Sequence, residues 1–156
     1  MLDFRNLPAS RGVYVLHLYI SRPQPLMIGR LGQYSLPVGN YFYAGSAHGA
    51  GGLQARVGRH VRGVPAPHWH IDYLRAVSEV QAVLYTVADR TLECEWSRAL
   101  ARLPHAFLPV PHFGSSDCRS GCAAHLIAFP RRADSASVPR ALAQITPTPI
   151  VSLHFR

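Results

Sequence analysis

The sequence predicts an α+β fold, because strand patterns dominate its first third and helical patterns follow. Residues 12–20 form an apolar run rich in β-branched and aromatic side chains, and shorter runs follow it between glycine and proline turns. From residue 53 onward, apolar residues instead recur three or four positions apart, which is the spacing of one helix face. We therefore expect strands and helices that pack together as one α+β unit.

The first third is predicted to hold four strands, at residues 12–20, 26–28, 33–36 and 41–45. Pro23 and Pro25 end the first strand, because proline lacks the backbone N–H that a sheet requires. Turns around Gly29 and Gly32 and at residues 37–40 separate the later strands. This order predicts an antiparallel meander.

The first helix is predicted from a stripe of apolar residues three or four positions apart: Leu53, Val57, Val61 and Val64. At about 100° per residue, Arg56 and His60 border this stripe and can face a cleft, whereas Arg59 and Arg62 point away from it. Gly58 within the helix is unfavourable by about 1 kcal/mol relative to alanine, which suggests that another group approaches its backbone closely.

The rest of the chain is predicted to alternate helices and strands. A short helix is expected at residues 68–74, a strand at 80–87, a loop at 104–111 and a strand at 125–129. Between them Thr91 is expected to cap a helix with one apolar face, formed by Leu92, Trp96, Ala99, Leu100 and Leu103. The composition shifts to Ser, Pro, Ala and Arg after residue 130, so we expect a domain at 1–130 and a loosely attached extension at 131–156, strand-like near 150–155.

Composition and charge favour a globular protein with a polyanionic partner. The 156 residues are 48% hydrophobic and 15% charged, and the net charge is +8. All 16 basic residues are arginine, which favours bidentate phosphate contacts, although a biased genome would produce the same count. We expect nucleic acid before membrane as the partner.

Neither a membrane span nor a disulfide framework is expected. No apolar run approaches the roughly 20 residues that a membrane helix needs. Asp3 and Arg5 stand where a signal peptide would have an apolar core, so we expect a cytoplasmic protein. Three cysteines, an odd number, argue against a disulfide framework and leave thiols for metal binding or packing.

Two tyrosine-glycine motifs, residues 12–14 and 43–45, precede the helix that carries Arg56 and His60. Two phenols, a guanidinium and an imidazole are side chains that a protein could gather around a phosphodiester. Glu93 or Glu95 could add a carboxylate for a metal ion. Alone, each tyrosine is equally well explained as a packed strand aromatic.

The ordered series of motifs resembles the GIY-YIG nuclease superfamily, and within it a subfamily of small domains of unknown function that are sometimes fused to an endonuclease III-type DNA glycosylase. The matching segments lie between about residues 11 and 130: 12–14, 43–47, 51–53, Arg56 with His60, 68–74, Glu93-Cys94, 113–118 and 125–126. The resemblance implies a small antiparallel sheet flanked by helices, with the two tyrosines on neighbouring strands and an extra β-meander between them.

The resemblance also implies roles for individual residues. Tyr43 matches the tyrosine that activates the attacking water, and Tyr14 matches the one that supports it or positions the phosphate. Arg56 would neutralise the phosphorane charge, and His60 would share the phosphate or help with the proton. The family glutamate, matched by Glu93, would hold one divalent ion, Mg²⁺ or Mn²⁺.

Other residues are expected to contact nucleic acid or to line the site: Gly45, Ser46, Arg59, Arg62 and His70. For the two arginines a solvated helix face is the favoured explanation, and contact with the DNA backbone is the alternative. On the helical wheel Glu93 and Glu95 flank opposite edges of the apolar stripe, so spacing alone leaves both open as the metal ligand. Glu93 could also serve only as a first-turn acid that complements the helix dipole.

Cys118, Cys122 and His125 form a C-x₃-C-x₂-H cluster that could bind zinc, with Cys94 or Asp117 as a fourth ligand. Thiols that pack without a metal are the alternative.

These expectations combine into a metal-dependent endonuclease that cleaves DNA, in repair or at non-duplex structures. A catalytically inactive nucleic-acid-binding module of the same fold and an RNA-directed nuclease are the alternatives. The sequence carries no signal for oligomeric state.

Overall fold

The computed structural model describes residues 4–116, 118–131, 133 and 135–155. Along these residues the chain forms seven strands and four α-helices: β1 (Gly12–Ile20), β2 (Gln24–Ile28), β3 (Gly32–Leu36), β4 (Gly39–Ala47), α1 (Gly52–Arg62), α2 (His70–Arg75), β5 (Glu79–Thr86), α3 (Thr91–Ala101), β6 (Leu126–Pro130), α4 (Ser137–Ile145) and β7 (Val151–His154). The predicted α+β class is confirmed.

Five strands form one antiparallel sheet in the order β6-β4-β1-β5-β7. The central strand β1 has both faces covered. Val13 and Val15 pack with residues of α3 and α4, whereas Tyr14, Leu16 and Leu18 pack with residues of α1 and α2. This alternation is the ordinary result of side chains pointing to opposite faces along a strand.

The insertion between the tyrosine motifs folds as a hairpin, in which β2 and β3 pair only with each other. Ile28 and Leu36 of the hairpin are fully buried in the main core. The hairpin also meets α2, since a Cβ atom at Gly29 would lie 3.5 Å from the hydroxyl of Tyr73. The expected meander thus does not continue through the main sheet, and β1 pairs directly with β4.

Helix α1 buries Leu53 and Val57 and ends at Gly63, whose φ of 75° suits glycine. Close packing explains why glycine occupies position 58, because a Cβ atom there would lie 3.0 Å from Cδ2 of Phe4. Phe4 therefore lies across the backbone of α1.

Helix α3 begins differently from the prediction. Thr91 does not cap it; instead the backbone N–H of Thr91 donates to Oδ1 of Asp89 at 3.0 Å. Aspartate is at least as good a capping acceptor as threonine, and Asp89 is the acidic residue of the same turn. The apolar face is confirmed, with Leu92, Trp96 and Leu100 buried.

The C-terminal segment is packed onto the sheet. Val138 and Leu142 of α4 are fully buried, and Nε1 of Trp96 donates to Oγ1 of Thr146 at 2.8 Å. Strand β7 then pairs with β5, as the strand-like pattern near residue 150 predicted. The expectation of loose attachment is wrong, because these few apolar side chains complete the core beside α3.

No helix in the described part of the chain is both long and apolar enough to cross a membrane.

Candidate functional site

Pairing of β1 with β4 brings the two tyrosine motifs side by side. Tyr14 lies opposite Gly45 in the register. A Cβ atom at Gly45 would lie only 2.5 Å from Cζ and the hydroxyl oxygen of Tyr14, so glycine leaves the space that the buried ring occupies. Tyr43 precedes Gly45 on the same strand face, and its ring centroid is 6.4 Å from that of Tyr14. The expectation of tyrosines on neighbouring strands is confirmed.

His60 of α1 contacts both tyrosines. Its Nε2 lies 2.7 Å from the Tyr14 hydroxyl, and its ring meets the Tyr43 ring edge-on with 6.2 Å between centroids. Burial, and then the charge of Arg56, lower the pKa of His60 to about 3. His60 is therefore a neutral imidazole near neutral pH.

Tyr14 is fully buried, and this burial raises its pKa well above the ordinary tyrosine value. It therefore stays a neutral phenol. Its hydroxyl can donate its hydrogen to Nε2 of His60 at 2.7 Å, and the nearby charge of Arg56 partly opposes the rise in its pKa. Tyr14 thus contacts His60 and lies close to Arg56.

Trp69 contacts two arginine side chains of α1. The guanidinium carbons of Arg56 and Arg59 lie 4.3 Å and 4.4 Å from its ring centroid. Arg59 is also paired with Asp72 at 2.7 Å, and that carboxylate accepts the backbone N–H groups of His68 and Trp69. Arg59 is therefore held by protein contacts and is not a purely solvated side chain.

A cavity of about 330 Å³ opens beside these residues. Its wall combines a phenol, a guanidinium and a carboxylate with small and polar neighbours: Tyr43, Gly45, Ser46, Arg56, His70 and Glu93. Tyr14 and His60 are both buried and lie behind this wall. Three chemically different groups thus face one space.

A larger cavity of about 640 Å³ shares Ser46, Arg56 and Glu93 with the first. Arg90 and Arg119 add two further guanidinium groups to its wall. Three arginines beside one carboxylate make this surface positively charged, and the planar guanidinium suits bidentate contacts to phosphate.

The structure distinguishes the two glutamates of α3. The Glu93 side chain is 18% exposed and lies at the wall of both cavities, whereas Glu95 is exposed and lines neither of them. Oε1 of Glu93 also lies 2.7 Å from Nδ1 of His125. Glu93 therefore contacts a histidine of the cysteine cluster as well as the cavities.

Three cysteines and a histidine meet beside the larger cavity, with their ligand atoms all within 4.8 Å of one another: Cys94, Cys118, Cys122 and His125. Sγ of Cys94 lies 3.5 Å from Sγ of Cys118 and 3.7 Å from Nε2 of His125. Cys94 thus completes a Cys₃His group that could hold a metal ion. Asp117, the other predicted fourth ligand, lies outside the described residues.

The cysteines of this group differ in their tendency to ionise. Burial opposes ionisation of Cys118, but backbone N–H groups of Cys122 and Ser120 outweigh it and lower the pKa to about 6. Burial and the neighbouring thiols raise the pKa of Cys122 to about 12. Burial also disfavours charge on His125, yet the contact with Glu93 outweighs this and raises its pKa.

Of the residues predicted to bind nucleic acid, His70 lies at the cavity wall and Arg62 lies away from it. His70 accepts the backbone N–H of Gly114 through Nδ1 at 2.8 Å and lies in the wall of the smaller cavity. Arg62 is exposed, its guanidinium lies 5.0 Å from the ring centroid of Phe4, and it lines neither cavity of the site. The structure therefore brings His70 to the site and leaves Arg62 apart from it.

One known protein family matches most of this chain. The family described as Domain of unknown function DUF123 matches residues 13–146. The chain belongs to this family. No curated protein and no solved structure matches the chain significantly.

Sequence reasoning on this DUF123 chain missed several residues of the cavity walls: His48, Trp69, Arg90 and Arg119. Each of these residues is near a predicted motif in sequence, but its position at a cavity wall depends on how the helices and loops pack together. An aromatic residue between two histidines, in a chain whose basic residues are all arginine, was the available signal for Trp69.

Proposed function

We propose that this DUF123 chain is a metal-dependent endonuclease that hydrolyses phosphodiester bonds in DNA. The observation that carries the proposal is the convergence of Tyr43, Arg56 and Glu93 on one cavity. The resemblance of its motifs to the GIY-YIG superfamily supports the same chemistry. The net charge of +8 and the arginines of the adjoining cavity support a polyanionic substrate.

Tyr43 is the group that would take a proton from the attacking water. It is half-buried at the cavity wall, with its ring against His60 and Phe113. An ordinary phenol has a pKa of about 10 and is a weak base near neutral pH, so it needs nearby positive charge. Arg56 lies in the same wall and supplies that charge.

Arg56 would bind the phosphate and stabilise the negative charge that develops on it during attack. The Trp69 ring packs against its guanidinium, and the Tyr14 side chain lies close to it, before substrate arrives. A group that is already oriented needs less reorganisation in the transition state. Tyr14 and His60 therefore act as positioning residues.

Glu93 is the residue that would hold a divalent metal ion. Its carboxylate has two oxygens, so one can contact Nδ1 of His125 while the other faces the cavity. A single carboxylate fits Mg²⁺ or Mn²⁺, because magnesium keeps several waters and binds phosphate as well as protein. Bound there, the ion would neutralise charge on the phosphate and on the leaving oxygen.

Cleavage assays with the purified protein test the proposal. Supercoiled plasmid, single-stranded DNA, branched DNA and the matching RNAs would be incubated with magnesium, with manganese and with chelator. We expect metal-dependent cleavage of at least one DNA substrate. Binding to the same substrates would be measured in parallel.

Variants locate the site. Tyr43→Phe, Arg56→Ala and Glu93→Gln should each lower the cleavage rate by about 10²–10³-fold. Glu95→Gln and Arg62→Ala are the matched controls, because both residues lie outside the cavity walls and should leave the rate unchanged. Cleavage by Glu93→Gln and Tyr43→Phe at the parent rate would refute the proposed site.

The other outcomes identify the alternative functions. Binding of DNA without cleavage under either metal would identify a catalytically inactive nucleic-acid-binding module. Cleavage of RNA alone would identify an RNA-directed nuclease.

A further inference from the structure

We propose that Cys94, Cys118, Cys122 and His125 bind a zinc ion, and that Glu93 holds the imidazole of His125 in the orientation that zinc binding requires.

Two distances among the four ligand atoms match a tetrahedral zinc site. With zinc–sulfur bonds of about 2.3 Å and zinc–nitrogen bonds of about 2.0 Å, ligand atoms around zinc lie roughly 3.5–3.8 Å apart. Sγ of Cys94 lies 3.5 Å from Sγ of Cys118 and 3.7 Å from Nε2 of His125. All four ligand atoms lie within 4.8 Å of one another, so small side-chain rotations would bring them around one ion.

The ligand types select zinc over the hard ions that Glu93 would take. Thiolates favour soft or borderline metals such as zinc, whereas magnesium and manganese prefer oxygen ligands. Four protein ligands also leave no open coordination position, which is the pattern of a structural zinc site. The cluster is therefore a different centre from the proposed catalytic metal.

Glu93 supplies the second part of the proposal. A zinc-binding histidine commonly donates its other ring N–H to a carboxylate, which selects the tautomer and the ring direction. His125 brings the same groups together: Nε2 lies 3.7 Å from Sγ of Cys94, and Nδ1 lies 2.7 Å from Oε1 of Glu93. The contact at Nδ1 has the distance of an ion pair, and its ring N–H is not aligned as a hydrogen bond. His125 is 2% exposed, so solvent has little access to replace this carboxylate.

The proposed zinc joins two distant segments of the chain at the cavity wall. Cys94 lies in the first turn of α3, while the other ligands lie between residues 118 and 125. The same segments are also tied by a hydrogen bond from the Arg98 guanidinium to the carbonyl of Ser120. Because Glu93 precedes Cys94, zinc bound here would also hold the Glu93 carboxylate at the larger cavity.

Metal content of the whole chain tests the ligand set. Protein purified without added metal or chelator should carry about one zinc ion per chain by elemental analysis. Cobalt exchanged into the parent protein should show thiolate-to-cobalt charge transfer and the visible bands of a tetrahedral site. Iron in place of zinc would overturn the proposal. So would zinc-free protein whose mass shows the loss of two thiol hydrogens, because that result indicates a Cys94–Cys118 disulfide.

Glu93 variants test the second part, with zinc affinity measured by competition against a chromogenic chelator. Glu93→Ala should weaken zinc binding by about 10- to 100-fold, as loss of an outer carboxylate does. Glu93→Gln keeps a carbonyl acceptor and should stay close to the parent. Glu95→Ala, the control on the same helix, should match the parent. Equal zinc affinity in the parent and Glu93→Ala would overturn the role of Glu93.

These measurements contain no nucleic acid, so they do not depend on nuclease activity. A protein that binds zinc as described but cleaves nothing would retain this inference and lose the proposed function. A zinc-free protein that cleaves DNA would support the proposed function and refute this inference.

Discussion

Two neighbouring parts of the molecule, both within reach of Glu93, are held together in different ways. The first, which we call the tyrosine–histidine centre, comprises Tyr14, Tyr43, Arg56 and His60. Its members meet protein partners, such as the hydroxyl of Tyr14 at Nε2 of His60 and the ring of Trp69 under Arg56. The second is the cysteine cluster, comprising Cys94, Cys118, Cys122 and His125, whose donor atoms face one another.

The tyrosine–histidine centre is held by packing, whereas the cysteine cluster has the residue types of a metal site. Hydrogen bonds and ring contacts shape the tyrosine–histidine centre as the chain folds. The three thiols and the imidazole of the cysteine cluster make weaker sulfur contacts with one another, and a metal ion would replace these with stronger bonds. Changes to the tyrosine–histidine centre should therefore leave zinc binding intact.

The largest expected effect follows from adding one methyl group at Gly45. In Gly45→Ala the new Cβ would lie 2.5 Å from the ring of Tyr14, which is fully buried and has no free space to move into. We expect the free energy of unfolding to fall by about 3 kcal/mol, measured by urea denaturation. Zinc content should stay at the parent level.

Gly49→Ala is the matched control, since a Cβ atom there meets nothing within 4 Å and its backbone needs no positive φ. It should unfold like the parent. Equal stability of the two variants would contradict the contact between Gly45 and Tyr14. Loss of zinc in Gly45→Ala would show that the two regions are not independent.

The next largest expected effect is that His60 makes the free energy of unfolding depend on pH. Because the folded pKa is about 3 and lies below the ordinary value of 6.5, the unfolded chain binds a proton that the folded chain does not. The stabilisation is complete above pH 6.5 and is lost as the pH falls toward 3. Proton uptake by His60 in the unfolded chain should lower the free energy of unfolding by up to roughly 1.4 kcal/mol for each unit by which the pH falls.

His60→Gln should remove this slope while leaving a polar side chain beside Tyr14. Urea denaturation at about pH 7 and about pH 5 measures the difference between parent and variant. His17, whose pKa is also lowered by burial, contributes in both proteins and cancels from that difference. An unchanged slope in His60→Gln would refute the buried neutral state of His60.

The smallest expected effect concerns the support of Arg59. In Asp72→Asn the carboxylate that binds Arg59 and two backbone N–H groups becomes a neutral amide. We expect the free energy of unfolding to fall by about 1–2 kcal/mol, with no change in zinc content. Thermal denaturation with elemental analysis of the same samples measures both.

Asp89→Asn is the control, because Asp89 is exposed at the start of α3 and asparagine can accept the Thr91 N–H in its place. It should be less destabilised than Asp72→Asn. Equal loss in the two variants would mean that the Asp72–Arg59 pair adds nothing beyond an ordinary cap.

Local patterns predicted the elements well where one chain segment contains the whole signal. Strand β1 was predicted at its observed bounds, because its β-branched and aromatic run lies between clear turn residues. The apolar faces of α1 and α3 followed from periodicity. The packing of α4 and β7 did not, because a Ser-, Pro- and Arg-rich composition hides the two buried residues, Val138 and Leu142.

The candidate site was predictable as a set of residue types but not as an arrangement. Tyr14, Tyr43, Arg56 and His60 stand in recognisable motifs. Helical spacing left Glu93 and Glu95 both open and the resemblance favoured Glu93, whereas the position of α3 beside β4 places Glu93 alone of the two in the cavity walls. Trp69 was missed since its contacts with Arg56 and Arg59 depend on how α1 meets α2.

The sequence by itself determined the strands and helices, the arginine-rich charge, and the side chains available for phosphate and metal chemistry, since each of these depends on residue type or short-range spacing. Only the tertiary structure decided the register in which β1 pairs with β4, that the insertion forms a hairpin apart from the main sheet, and that Cys94 joins Cys118. These pairings join residues far apart in the chain. They depend on which surfaces of the whole core can be buried together, and no local pattern contains that information.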